Sequence, residues 1–517
     1  MKQTITKYKY TGLLSLALCT TLLQSCDKDF EEINTNPNAV SVPTPQYLFS
    51  KALYDGAAYS GNTGKLLFGA MQYTTSYNDV EGFGSKYVAS QVNRTSEFFT
   101  LAYPAQINEI GEVIKAVKDD PTKINMYAVA RIWKAYCFSR LTDLYGDIPY
   151  SQAAQGYNLS LFQPKYDPQS AIYADMLKEL EEAAAALSPA NATTFGVADL
   201  IYQGNTAQWK KLAYSLMLRL GMRLTKVDAA AAQSWVTKAI AGGVIKEHAD
   251  IAKVSYVGSG QEINRNPVAW QLLKDNYLRA DGNNNTEGGK YQKAFIDSLK
   301  INNDPRLSVL AVVYVGGAAN STEAIQKGMA SNINGTKPAD FVTYSEPKQT
   351  TVLKIDAPLL LFTAAESNFL LAEAALRNWY SAETATALYE KGIRLSMQQW
   401  DLISGTTGTI DAGRINSYVA AHALRTSASQ AVQLEQIYNQ FWVGIFPDAQ
   451  EVYNNYRRTG YPALVPNNYP GNATGGRIFR RCLYPVLEQT LNRASYNEAI
   501  GRQGADDLMT RVWWDKQ

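Results

Sequence analysis

The feature that most restricts how this chain can fold is a succession of helix-period apolar patterns, arranged in pairs joined by short links. From Phe98 to Val117 apolar residues recur at three and four spacings, and Lys118-Asp119-Asp120-Pro121 stops that helix and starts the next. A helix over about 124–144 follows, with Tyr127, Ala130, Ile132, Trp133, Cys137, Phe138 and Leu141 on its buried side and Gly146 and Pro149 ending it. Asp167-Pro168 opens another, striped by Ile172, Met176, Leu180, Ala183 and Leu187. Residues 208–224 and 229–240 make a further pair, closed by Gly242-Gly243, and helix is predicted again over 359–379, 382–399, 415–423 and 429–441. The tail from Arg477 to Asn497 mixes turn and helix.

Helix pairs with short links predict a solenoid of the tetratricopeptide kind. The best local match is Ala385-x3-Tyr389-x2-Gly392, where small residues let helices approach closely, after a first helix carrying Ala372, Ala374 and Ala375. Any alanine-rich hairpin can produce one such match, so the argument rests on several hairpins around one fold. Between 243 and 358 the periodicity breaks down into Gly, Asn and Pro, with short helices over 268–278 and 291–299 and a strand over 307–315. Irregular stretches of this length inside a compact domain often carry function.

The amino terminus is of another kind. Lys2, Lys7 and Lys9 precede an apolar run from Leu13 to Leu23, too short for a stable membrane span, which reads as a secretion signal. It ends in Leu23-Gln24-Ser25-Cys26, which resembles the lipobox of bacterial lipoproteins and implies cleavage before Cys26 and lipidation of that residue. The plainer alternative is an unmodified Cys in an ordinary secretory signal. Asp27, Asp29, Glu31 and Glu32 follow and resemble the surface-export signal of Bacteroidetes lipoproteins, by which the protein faces outward from the outer membrane. The expected organisation is a signal peptide over 1–25, a lipidated flexible tether over 26–42, and a single domain over 43–517 with its loop-rich lobe at about 243–358.

Composition narrows the function classes. Charged residues make up 19% of the chain, below the roughly 25% usual for globular domains, and a net charge of +2 gives no general pull towards nucleic acid. The 33 Tyr outnumber the 16 Phe and 9 Trp, a bias towards amphipathic contact rings that suits sugar or peptide binding as well as core packing. Only Cys137 and Cys482 lie in the body, and whether they pair is open. His248 and His422 are the only histidines, so no zinc or iron ligand set is visible.

Several motifs in chain order resemble the SusD/RagB family of nutrient-binding outer-membrane lipoproteins, closest to its second SusD-like subgroup. They are Cys26 and Asn34-Thr35-Asn36-Pro37-Asn38, then Leu141-Thr142-Asp143-Leu144-Tyr145-Gly146-Asp147-Ile148-Pro149-Tyr150, then Asn303-Asp304-Pro305-Arg306-Leu307. Ala365-Glu366 with Leu371-Ala372-Glu373-Ala374, Arg457-Arg458-Thr459-Gly460-Tyr461-Pro462, Arg480-Arg481 before Tyr484-Pro485, and Trp513-Trp514-Asp515 complete the series. The resemblance implies a mostly α-helical protein with a tetratricopeptide-like scaffold, an irregular lobe carrying the ligand site, and few strands. It implies an oligosaccharide or peptide ligand, no enzymatic activity, and a partner, a SusC-like TonB-dependent β-barrel transporter. Chemically, the motifs read as structural: Asp143 and Asp147 flank a helix-ending Gly, Asp304 and Arg306 can lock a turn, and Glu366 and Glu373 can pair across a helix interface. Arg457, Arg458, Arg480 and Arg481 suit packing and ion pairs, with an anionic ligand as the alternative.

Sugar binding needs flat aromatic faces beside planar amides or carboxylates. Two stretches supply both: Tyr73, Tyr77, Asn78, Phe83 and Tyr87 in the first, and Trp270, Tyr277, Asn283 and Asn284 in the second. For each ring the alternative is the core. Asp281-Gly282-Asn283-Asn284-Asn285-Thr286-Glu287 alternates oxygen ligands as calcium loops do, but lacks the Gly at position six and the Glu at twelve, so no cofactor is expected beyond calcium as an open alternative. A secreted glycoside hydrolase, using two of the 47 acidic residues, and a helical-repeat scaffold for another protein are the competing functions.

Overall fold

The computed structural model describes residues 44–516 apart from 59–60, 79–84, 88–91, 192, 276–288, 316, 334, 466 and 468. The signal, the tether and Cys26 therefore lie outside the described residues, and the architecture below belongs to the unit Pro45–Gln517.

The chain is mostly helical, with a few short strands. It begins with α1 (Pro45–Ala57), α2 (Gly61–Ala70) and the strand β1 (Thr74–Ser76). The segment predicted as one helix to Val117 is helical but uneven: Glu97–Ala102 is α, Tyr103–Ile107 is a π turn, and α3 (Asn108–Val117) resumes. Pro104 has no N–H for the ladder, and the Asn108 N–H reaches back to Tyr103 O, so the turn widens there. α4 (Ile124–Tyr145) stops at Gly146, whose φ of 81° favours glycine. The two-residue strands β2 (Ile148–Pro149) and β3 (Tyr166–Asp167) then pair antiparallel. Next come α5 (Gln169–Ala186), α6 (Thr206–Arg223), capped by the Asn205 side chain, and α7 (Ala229–Gly242), capped by Asp228. Each of α3 to α7 packs on the next, as the hairpin reading requires.

The loop-rich lobe holds β4 (Ala252–Val254), α8 (Pro267–Asp275), β5 (Gly289–Tyr291), α9 (Lys293–Ile301), β6 (Ala311–Val315), β7 (Ala318–Asn320) and β8 (Glu346–Pro347), and leads to β9 (Leu359–Phe362). β1 pairs with β5, β4 with β9, and β6 lies between β7 and β8. Two apolar runs differ from the prediction. The strand predicted over 307–315 starts as a helical turn, Leu307–Leu310, because the Leu310 N–H bonds back to Arg306 O. The helix predicted from 359 starts as β9, and α10 (Ala364–Leu376) begins only after Thr363, whose hydroxyl accepts the Glu366 N–H. A short continuous apolar run reads alike as strand or helix, and here the Thr cap marks the change.

α10 forms a hairpin with α11 (Ala385–Ser404), and α12 (Ala412–Ala421) and α13 (Gln430–Gly444) extend this second stack, which meets the first where α6 packs on α10. A Cβ on Gly392 would sit 2.7 Å from the Phe369 ring and one on Gly444 2.8 Å from it, so two glycines let α11 and α13 close on α10. α14 (Ala449–Thr459) and α15 (Arg493–Gln503) complete the body. The sequence reading missed α14 because its buried face carries Glu451, Asn454, Asn455, Arg457 and Arg458 in place of an apolar stripe.

Those polar residues belong to an interior ion-pair network. Arg219 of α6 grips Glu366 of α10 through two bonds of 2.6 and 2.7 Å, Arg223 reaches Glu451 at 2.5 Å, and Arg458 grips Glu373 through two bonds of 2.7 Å. Arg480 pairs with Asp515 and Arg481 with Asp506, at 2.7 and 3.1 Å. The four motif arginines are thus turned inward on protein carboxylates and carbonyls, not outward to an anionic ligand. Cys137 and Cys482 are buried and free, their thiols pushed up to about 12 by burial.

Burial raises the cost of charge on Glu373, but Arg458 and Arg377 outweigh it and hold the carboxyl at about 2 instead of 4.5. Its folded value lies below its unfolded one, so its contribution is complete above about 4.5 and is lost as pH falls towards 2. Glu373→Ala leaves Arg458 buried and uncompensated, and should lower the unfolding free energy at pH 7 by about 3–5 kcal/mol in a urea titration. A change below about 0.5 kcal/mol, the size of an ordinary surface substitution, would remove this pair from the account.

Candidate ligand-binding site

The first aromatic and amide stretch singled out in the sequence carries β1, and its partner β5 is the strand that follows the second stretch. β1 and β5 run antiparallel with Thr74 opposite Tyr291, Thr75 opposite Lys290 and Ser76 opposite Gly289. The first stretch leaves the ribbon after Ser76, at the end where the chain returns at Gly289 from the second stretch, which contains α8. Phe83, Tyr277, Asn283 and Asn284 belong to the two connecting segments and lie outside the described residues, as does the calcium-like sequence 281–287.

The ribbon end is firmly built. Lys290 pairs with Glu346 at 2.6 Å, both side chains being 1% exposed, and its ammonium sits 4.4 Å from the centre of the Phe341 ring. Burial pushes Lys290 below its ordinary range, with Glu346 opposing that shift. Phe341 in turn takes the half-buried Tyr77 edge-on, at 5.1 Å and 87°. The buried Lys86 donates to the carbonyls of Asn78 and Ile333 at 2.5 and 2.7 Å and lies 4.6 Å over the Tyr469 ring, which ties Asn78 to Lys86. Asn467 donates to the neighbouring Ser85 carbonyl. Nothing in the sequence around Gly84-Ser85-Lys86 signals such an anchor, because its acceptors are backbone carbonyls, which carry no side-chain signature.

Tyr77 and Asn78 stand half-buried at this end. Trp270, also half-buried, has the Arg265 guanidinium 3.9 Å over its ring, and its indole N–H is buried without a protein acceptor. Two other residues placed here by the sequence reading are corrected. Tyr73 is wholly enclosed: its hydroxyl donates to Trp442 O, its ring stacks on Trp442 at 5.6 Å and 11°, and Phe295 and Phe446 close on its edges. Tyr87 is 3% exposed and packs edge-on against Phe479. Both rings serve the core, residues 71–76 and 85–87 all being buried.

What remains at the ribbon end is chemically simple: the part-exposed ring of Tyr77 and the amide of Asn78, with Trp270 standing separately on α8. Such groups can hold the C–H face and hydroxyls of a sugar ring. Among the described residues no group of His, Cys, Asp and Glu is arranged to hold a metal ion. An internal cavity between α8 and the ion-pair network, lined by Phe68, Trp400, Glu366 and Glu451, leaves only about 70 Å3, below the roughly 300–1,000 Å3 of small-molecule sites.

Two helical stacks bearing a loop-rich lobe with short two- and three-stranded sheets define a SusD-type fold. A family model, SusD-like_2, described as starch-binding and associating with the outer membrane, matches residues 37–485, and the chain belongs to that family. Among solved structures, a chitin-binding protein is 29% identical, with 92% of this chain and 100% of that one covered at a TM-score of 0.77. A SusD homologue from Bacteroides uniformis is 26% identical, covering 92% and 100% at 0.75. A chitin-binding SusD homologue from Flavobacterium johnsoniae is 25% identical, covering 92% and 99% at 0.73. No curated protein matches the chain.

Proposed function

We propose that this protein is a lipid-anchored, outward-facing outer-membrane protein that binds an oligosaccharide and hands it to a SusC-like TonB-dependent β-barrel transporter, performing no chemistry on it. The observation that supports the binding role is the half-buried Tyr77 and Asn78 at the end of the anchored β1–β5 ribbon, whose second strand follows the second aromatic and amide stretch in the chain. Tyr77, Asn78 and Trp270 are proposed as ligand contacts among the described residues, and Phe83, Tyr277, Asn283 and Asn284 from the connecting segments. The chitin-binding relatives favour a glycan over a peptide, and a β-linked N-acetylglucosamine chain as the first ligand to try. Against hydrolysis, the motif carboxylates Asp143, Glu366 and Glu373 are committed to interior partners and offer no pair to a substrate.

Anchoring is assigned to Cys26. A single acyl chain holds a protein only marginally, whereas the two or three chains of a bacterial lipoprotein hold it firmly. The tether over 26–42 would then leave the helical body free to move over its transporter. Cys26→Ala should leave the protein folded and shift it out of the membrane fraction; persistence in that fraction would contradict lipidation.

Titration of the soluble body with chitohexaose should give saturable binding without release of reducing ends. Tyr77→Ala and Trp270→Ala should each weaken it by about 1–3 kcal/mol, as truncated central contacts do. Unchanged affinity in both variants would reject this placement, and new reducing ends would overturn the binding-only assignment.

A further inference from the structure

A second concavity, of about 440 Å3, opens between α9 in the loop-rich lobe and the faces of α12 and α13, with the Pro462–Val465 segment along its edge. Its size falls within the roughly 300–1,000 Å3 of small-molecule sites. The residues that shape it came from segments the sequence presents as plain helix and turn.

Its floor is pre-ordered. Arg306 is locked to Asp304 at 2.5 Å and donates to Gln440 Oε1 at 3.0 Å, and Gln440 Nε2 donates to the Tyr418 hydroxyl at 2.9 Å. Asp304 and Gln440 are 2% and 9% exposed. The His422 ring stacks on Tyr418 at 4.0 Å and 22°, with Nδ1 2.9 Å from Tyr418 O, so only Nε2 is left for another partner. The Asn303-Asp304-Pro305-Arg306-Leu307 motif thus sets the base of an open cleft as well as locking a turn.

The rim is the opposite of the floor. Glu435 and Asn439 stand one turn apart on the same face of α13, and Arg425 faces the same space from the link after α12. The link is held in place by its own backbone, the Arg425 N–H donating to Gln436 Oε1 at 2.9 Å. None of these three side chains has a hydrogen bond or ion pair among the described residues. A carboxylate acceptor, an amide and a guanidinium donor, part-exposed or exposed, therefore face one cleft over an ordered floor.

We propose that this cleft is a second glycan subsite, suited to an acetamido sugar. An acetamido group presents one N–H and one carbonyl close together. Glu435 can accept the N–H, Arg425 or Asn439 can donate to the carbonyl, and His422 Nε2 and Asn302 remain for ring hydroxyls. The subsite rests on the reading of the protein as a glycan binder and adds a position that the ribbon end does not supply.

The test is calorimetric titration with chitohexaose and with N,N′-diacetylchitobiose of the parent, of Glu435→Gln with Asn439→Ala, and of Tyr77→Ala with Trp270→Ala. Thermal midpoints serve as the control for folding. The subsite predicts that the Glu435/Asn439 variant, at an unchanged midpoint, loses tenfold or more in chitobiose affinity, and that the Tyr77/Trp270 variant retains a chitobiose site. Parental affinity for both sugars in the Glu435/Asn439 variant would overturn the subsite and leave the ribbon-end site standing. No binding of either sugar by the parent would overturn both. If the double substitution shifts the midpoint, Glu435→Gln alone is read by the same criterion.

Discussion

The Asp143 carboxylate is the point on which the rest of the structure depends. It sits at the end of α4, where it accepts from Trp514 Nε1 and Asn454 Nδ2 at 2.9 Å each and from the Tyr173 hydroxyl, while Arg457 donates to its backbone carbonyl at 2.6 Å. Arg223 lies 3.6 Å away. One side chain thus gathers α4, α5, α6, α14 and the carboxyl-terminal segment. Burial pushes this carboxyl above its ordinary range, with Arg223, Tyr173 and Arg457 pulling the other way. Buried charge of this kind is costly unless every partner is present, so the network tolerates one arrangement of these elements and penalises others.

The same principle recurs outward from that point. Asp147, four residues on, accepts the Gln169 N–H at the start of α5 and the Arg502 guanidinium of α15, both at 2.9 Å. Arg306 with Asp304 fixes the turn between α9 and β6 onto α11 and α13 through Ser396 and Gln440. Lys290 with Glu346 fixes the β1–β5 ribbon. A scaffold pinned at these points can carry a long irregular lobe without losing its shape, and both the ribbon end and the cleft between α9 and α13 lie beside such a pin.

Much of the helical scaffold was legible because its stripes are apolar and its stops are chemical. Gly146 and Gly243, with φ of 81° and 92°, and the Asp228 cap sit where the sequence places helix ends, while Asn205 starts α6 two residues before its predicted 208. α14 was not legible, since a buried face of Glu, Asn and Arg looks like a solvated one until its partners are seen. Within the candidate site, Tyr73 and Tyr77 are indistinguishable as letters. Residues 71–76 are all buried, so no two-residue alternation separates the inward ring from the half-exposed one. Glu435 and Asn439 carried no signal, because a polar helix face reads the same over solvent as over a cleft.

The most direct test of a body organised on Asp143 is equilibrium urea unfolding of Asp143→Ala at pH 7, followed by tryptophan fluorescence. The substitution strips three side-chain donors of their acceptor and leaves Arg223 short of a counter-charge, so the account predicts a loss of at least about 3 kcal/mol in unfolding free energy. A single cooperative transition within about 0.5 kcal/mol of the parent would contradict it.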